Sequence, residues 1–292
     1  GPLFNSRSCQ RCHLKDGRGN PPSDDNSISA SLVFQLNGNA EPDPNYGKQI
    51  QPFAANGLHG EASIFVRFTQ EAFTYPDGNT VTMNRPSYRV DELNYGELKA
   101  SGALSPRIAP PMIGLGLLES IPADTIKTLA DPNDVDSDGI SGRTNFGYSL
   151  EHQKTMLGRF GWKATAPTIV DQAAVAFSVD MGLSTPLIAV HHGDCTPRQI
   201  DCVRMAQFHS GGSPDPEVNR DMLDLVVVYS QNLAVPQPRN TDDGQFKSGQ
   251  SLFAKVGCQS CHTPHHITGT SNDIPSHLRG RNIAPYTDLL LH

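Results

Sequence analysis

Few stretches of this chain hold one hydrophobic period for long. The clearest helical period begins at Asp215-Pro216, an N-cap residue followed by proline at the first helical position. Its apolar positions are Val218, Met222, Leu225, Val226, Tyr229 and Leu233, and Pro236 ends it. A further helix is expected from about Thr241 to Lys255, stopped by Gly257, with short helical stretches near residues 90–100 and 122–130. Ser63-Ile64-Phe65-Val66-Arg67-Phe68 and Thr80-Val81-Thr82-Met83 read instead as a small hairpin with Asp77-Gly78 in its connection. Residues 1–60 are polar and rich in Pro, Gly and Asn, which predicts loops. The pattern therefore predicts a mostly α fold with long ordered loops and a small β-hairpin.

Composition sharpens this picture. Hydrophobic residues make up 37% of the 292 positions, mean hydropathy is −0.40, and there are 26 glycines and 23 prolines. A chain so rich in turn formers often needs something besides side chains to complete its core, and a large flat cofactor would serve. No apolar run is long enough to cross a membrane. The formal charge is −7, and no basic stretch exceeds two adjacent cations, which argues against a nucleic-acid partner.

Four of the six cysteines fall in two short motifs, Cys9-Gln10-Arg11-Cys12-His13 and Cys258-Gln259-Ser260-Cys261-His262. Two thiols at this spacing add to the two vinyl groups on one porphyrin edge, and the following histidine reaches under the ring as proximal iron ligand. Two covalently bound haem c groups are the implied cofactors, with His13 and His262 on the irons. The flanks repeat as well: Leu3-Phe4 and Leu252-Phe253 stand at the same distance before each motif, so a helix whose Phe packs on the haem is expected twice. The competing reading is a zinc site or a redox Cys-x-x-Cys, but zinc ribbons normally bring their two cysteine pairs much closer in sequence.

Other constellations are less specific. Cys195 and Cys202 lie in a short polar loop, where a disulfide would indicate an oxidising, periplasmic or secreted compartment. Asp134, Asp136 and Asp138 alternate before Gly139 as in the first half of an EF-hand loop, implying Ca²⁺ with the Ile140 carbonyl as a further ligand. Asn145 stands where the bidentate glutamate would, so a solvated acidic turn is the alternative. Glu119 follows an apolar run, where burial would suit it to proton transfer and a surface position would not. Trp162 is the only tryptophan, a core residue or an electron path between haems. The distal ligands are not selected among the histidines at 59, 191, 192, 209, 265, 266, 277 and 292 and the six methionines.

The succession of motifs resembles the di-haem oxidoreductase family, whose members carry peroxidase and thiol-oxidoreductase labels. The residues that carry the resemblance include Gly1-Pro2-Leu3-Phe4-Asn5, both haem motifs, Gly114-Leu115-Gly116-Leu117-Leu118-Glu119, Asp138-Gly139-Ile140-Ser141-Gly142-Arg143 and Gly158-Arg159-Phe160-Gly161-Trp162-Lys163. Asp180-Met181-Gly182, Leu233-Ala234-Val235-Pro236 and the final Pro285–His292 segment extend it over essentially the whole chain. That family is similar in turn to bacterial di-haem cytochrome c peroxidases, which order a Trp motif, a Gln and an acid-Met-Gly between their haems. Trp162, Gln172 and Asp180-Met181-Gly182 fall in that order here. Asp180 replaces the usual Glu and reaches one methylene less far, and the chain stops inside a motif that continues in relatives.

The resemblance implies two cytochrome c-like haem domains, residues 1–235 with a large insertion and residues 236–292. It implies hydrogen peroxide, or another small substrate, at the N-terminal haem. Asp180 or Glu119 would move the proton and Gln172 would orient it. Electrons would come from a small redox protein or other donor to the C-terminal haem and cross with help from Trp162. The rival readings are a plain electron carrier and a di-haem oxidase or oxygenase acting on an organic substrate.

Overall fold

The structure, a computed structural model, describes residues 1–25, 29–36, 41–99 and 104–292. In chain order the elements are β1 (Leu3–Phe4), α1 (Cys9–Cys12), β2 (Leu32–Gln35), β3 (Phe53–Ala54), β4 (Ser63–Thr74), β5 (Thr80–Asp91), β6 (Ser105–Ile108), α2 (Leu115–Glu119) and α3 (Ala123–Thr128). They continue with β7 (Phe146–Ser149), β8 (Lys154–Leu157), α4 (Ile169–Val175), α5 (Ile200–His209), α6 (Arg220–Gln231), α7 (Gly244–Lys255), β9 (His266–Ile267) and β10 (Asn282–Ile283).

The expected mostly α class is wrong: 25% of residues are helical and 21% lie in strands. Two physical reasons account for the error. The helices are short, since proline and glycine interrupt the pattern before long helices can propagate. The hairpin is also much longer than expected, because strand pairing continues beyond the apolar stretches through Thr69–Thr74 and Asn84–Asp91. Side chains over Thr69–Thr74 and Asn84–Ser87 are exposed, whereas Tyr88 and Val90 are partly buried against the core of the first unit and lie outside the expected strand. Residues 92–99, placed near a helix by the pattern, form turns after β5.

Every sheet among the described residues has two antiparallel strands. The chain contacts group into two compact units. The first holds residues 1–111 and 174–222. Its core is Phe34, Leu36, Tyr46, Ile50 and Ala62, with a smaller cluster of Leu3 and the disulfide-bonded Cys195 and Cys202. The second holds residues 112–173 and 223–292. There Ile121, Ile126 and Leu157 pack with Ile283, Leu289 and Leu290, and Phe160, Ala166 and Ile169 pack with Leu115, Leu118 and Val227. This division interleaves the chain, whereas the expected domain boundary at 235–236 is a single cut along it.

The two haem motifs are set up differently. Ahead of the second motif, α7 is capped by the Asp243 carboxylate on the Gln245 N–H and ends near Gly257, whose φ of +84° favours glycine. Ahead of the first, Leu3-Phe4 is a strand paired with Phe53-Ala54, and the Phe4 ring faces Phe53. The expected helix is absent there: Leu3-Phe4 is held in the β1–β3 pair, and helix begins only at Cys9. No helix among the described residues is long and apolar enough to cross a membrane.

Candidate functional site

In the first unit, α1 closes one turn around the motif, and the His13 N–H donates to the Cys9 carbonyl at 2.8 Å. Thiols three residues apart on one helical turn point the same way. The His13 ring lies 2.7 Å, through Nδ1, from the Pro110 carbonyl. A carbonyl only accepts, so Nδ1 carries the proton and Nε2 is left as the ligating nitrogen. Burial pushes the His13 pKa down, which holds the imidazole neutral, the form that binds iron. Burial pushes the Cys12 thiol up, and Asp180 adds to that.

The second motif repeats this geometry in the second unit. The His262 N–H donates to the Cys258 carbonyl at 3.0 Å, and His262 Nδ1 lies 3.0 Å from the Tyr286 carbonyl. Phe253 on α7 lies 6.2 Å from the His262 ring and packs edge-on against Tyr286 at 5.4 Å. Cys258 and Cys261 are free thiols, like Cys9 and Cys12. Leu252, Val256 and Ile267 are exposed apolar side chains next to the motif in sequence. Both donor sets therefore fit a haem: two free thiols on one turn and an imidazole with its other nitrogen pinned by a backbone carbonyl.

Asp180 stands beside the first motif. Helix α4 continues as a wider turn, Ala176–Asp180, closed by the Met181 N–H on the Ala176 carbonyl at 3.1 Å. Such i→i+5 turns cluster at functional sites because they re-aim a side chain. The Asp180 carbonyl accepts the Asn5 and Ser6 N–H groups at 2.8 and 3.0 Å, which ties it to the segment entering α1. Its carboxylate accepts Gln49 Nε2 at 2.7 Å, and burial pushes its pKa up to about 6.

The amide on Asp180 thus comes from Gln49. Gln172 lies in the second unit, with its Oε1 near the Gly161 turn that precedes the half-exposed Trp162. Glu119 is a brace: Oε1 accepts the Ile169 N–H and Oε2 accepts Gln231 Nε2, both at 2.8 Å. With both oxygens engaged by structural partners, we expect Glu119→Ala to lower stability by about 1–3 kcal/mol, with both haems retained. Urea unfolding would measure this, and an unchanged midpoint would remove the brace.

A family model described as "di-haem oxidoreductase, putative peroxidase" matches residues 48–292. The chain belongs to the di-haem oxidoreductase family. No curated protein and no solved structure matches it. This di-haem oxidoreductase is accordingly a haem-binding redox protein. The matched span contains the second motif and Asp180, while the first motif precedes it and rests on its own residues.

Elsewhere in the oxidoreductase, the carboxylates of Asp134, Asp136 and Asp138 converge within 4.8 Å of one another. The Ile140 N–H donates to Asp138 at 2.8 Å, and Asn145 donates to the Lys163 carbonyl at 2.7 Å instead of completing the loop. Among the candidate distal histidines, His266 is buried with Nε2 on the Thr287 carbonyl, and His292 Nε2 lies 2.7 Å from Asp288. The His209 side chain lies outside the described residues. Sequence reasoning missed three polar residues of the first unit, two of them buried and one, Asp194, partly exposed. These are Gln49, Asp194, whose pKa burial pushes up to about 6, and Glu61, pushed up by burial to about 8. None belongs to a recognisable motif.

Proposed function

We propose that this di-haem oxidoreductase is a periplasmic or secreted c-type cytochrome that reduces hydrogen peroxide at its N-terminal haem. Cys9 and Cys12 would hold that haem by thioether bonds, with His13 Nε2 on the iron. Cys258, Cys261 and His262 would do the same for the second haem, where electrons from a small redox protein arrive. The observation that carries the reading is the carboxylate of Asp180, whose pKa burial raises to about 6 and whose backbone carbonyl is hydrogen-bonded to the segment that enters the first motif.

The bound haem supplies the peroxide-binding position and the electrons. Asp180 takes a proton from the peroxide oxygen nearer the iron and returns it to the departing oxygen, which leaves as water. Gln49 holds the carboxylate in place for both transfers. Trp162 is assigned to electron passage between the haems. The Cys195–Cys202 disulfide supports an oxidising compartment. Peroxide-dependent oxidation of a reduced small cytochrome, followed optically, is the test. Turnover well above that of free haem is expected, and none above it would sink the proposal.

The same reading includes Ca²⁺ at Asp134, Asp136 and Asp138 with the Ile140 carbonyl. Calcium at 100 times its dissociation constant would add about 2.7 kcal/mol of stability. A thermal midpoint raised by Ca²⁺, lowered again by chelator and unresponsive in Asp136→Asn/Asp138→Asn is the expected result. A midpoint indifferent to calcium would leave the loop a solvated turn.

A further inference from the structure

The first unit contains a cavity of about 120 Å³ that the peroxide chemistry does not use. Its walls are mostly apolar: Leu32 and Phe34 on β2, Ile64 and Val66 on β4, Tyr88 on β5, and Phe53. An apolar cavity of about 150 Å³ stays dry and holds one benzene ring, so this space is on the scale of a single ring and excludes a porphyrin. Three of the walls are aromatic, and Phe34 and Tyr88 meet edge-on at 5.1 Å, which favours an aromatic guest. The cavity borders the first haem motif directly. Cys12 Sγ lies 2.9 Å from the carbonyl of Ala30, a further wall residue, and the Arg11 guanidinium lies over the Phe53 ring at 5.5 Å.

Asn5 gives this wall a buried polar group. It is 5% exposed, and its backbone N–H donates to the Asp180 carbonyl. The orientation of its side-chain amide follows from its neighbours. Gln51 Nε2 donates to the Val179 carbonyl at 2.8 Å, so Gln51 Oε1 is the atom that faces Asn5. Asn5 therefore presents Nδ2 there, and the same Nδ2 donates to the Ile50 carbonyl at 3.1 Å. That leaves Asn5 Oδ1 with no donor among the described residues. Ile50 and Gln51 lie outside the cavity lining, so the donors of Asn5 turn away from the cavity and its free acceptor is the polar atom left to face it.

We infer that this cavity binds a single-ring phenol, with the ring against Phe34, Phe53 and Tyr88 and the hydroxyl donating to Asn5 Oδ1. A buried acceptor left unmet is costly, and a hydroxyl is the smallest group that meets it while keeping the rest of the ligand apolar. No charged side chain lines the cavity, so a charged ring would be held there without a counter-ion. The phenol sits next to the motif that holds the first haem, because Ala30 and Phe53 belong to the cavity wall and also touch Cys12 and Arg11. Binding needs neither peroxide nor electrons, so the site stands apart from the peroxidase reading.

The test is calorimetric titration of the holoprotein with phenol, with haem optical difference spectra recorded alongside. One phenol per chain is expected to bind saturably and to perturb the haem spectrum. Leu32→Phe and Ile64→Phe fill the cavity from two different strands. Each should weaken binding about tenfold or more, with both haems retained, and either serves if the other does not fold. Asn5→Leu should weaken phenol about fivefold without weakening toluene, a ring of similar size that lacks the donor. No saturable phenol binding, or wild-type affinity for phenol in the filling variants or in Asn5→Leu, would overturn the proposal. Peroxide turnover is measured separately without phenol, so its failure would sink the peroxidase reading and leave this site standing.

Discussion

Replacing Asp180 by asparagine lowers peroxide turnover by about 100- to 10,000-fold while both haems stay attached. Asparagine keeps the shape of the side chain and can still pair with Gln49 after an amide flip. It cannot accept and return a proton. The magnitude is that of a positioned acid–base group. The pH profile sharpens the test: with burial pushing the Asp180 pKa up to about 6, the wild-type rate should fall below that pH as the carboxyl becomes neutral and loses its ability to accept the peroxide proton. This step should vanish in Asp180→Asn. Steady-state kinetics from pH 5 to 8, with haem content measured on the same samples, would check both. A variant as active as wild type, or one with the same pH step, would remove Asp180 from the chemistry.

Cys258→Ala/Cys261→Ala should leave a chain with one haem that resists acid–acetone extraction, and donor-driven turnover at background. The second motif lies in a different compact unit from the first, with its own carbonyl, Tyr286, pinning its histidine. Loss of the second pair of thiols therefore leaves the Cys9–His13 turn and its Pro110 contact untouched. Electrons reaching only the second haem would then have no route in. Two extraction-resistant haems in this variant would refute thioether attachment at Cys258 and Cys261.

What the sequence made legible was the chemistry that needs fixed spacing. The Cys-x-x-Cys-His runs encode one helical turn each, and both turns form, with each histidine pinned through Nδ1. The stop of α7 was readable because a positive-φ glycine is a local signal, while its start lies at Gly244 behind the Asp243 cap and not at the expected Thr241. The hairpin was legible at the mostly half-buried Ser63–Phe68 and at the exposed Thr80–Met83, but not at Tyr88 and Val90, which pack against the core. That misjudged length, with short interrupted helices, produced the wrong fold class.

Residues whose role depends on distant chain segments were harder to read. Gln49 meets Asp180 across 131 positions, and Asp194 meets Lys48 across 146. Neither pairing follows from any period, so the amide was sought at Gln172, in register with the peroxidase pattern. Glu119 looked like a proton carrier because an acid after an apolar run reads as buried. Its two oxygens hold Ile169 and Gln231, pairings visible only after folding. Of the apolar face read along α6, Met222, Leu225 and Tyr229 are half or more exposed, and Leu223, outside that face, is buried. Periodicity finds the stripe but not what covers it.

The central claim is that the haem at Cys9, Cys12 and His13 is a place of reaction and not a relay. Optical and paramagnetic resonance spectra of the purified protein, fully oxidised and then half-reduced, test it most directly. The account predicts a high-spin, five-coordinate signal from one haem, and its loss from that haem in a His13 variant. Two low-spin, six-coordinate haems at both redox levels would contradict it and make the protein an electron carrier.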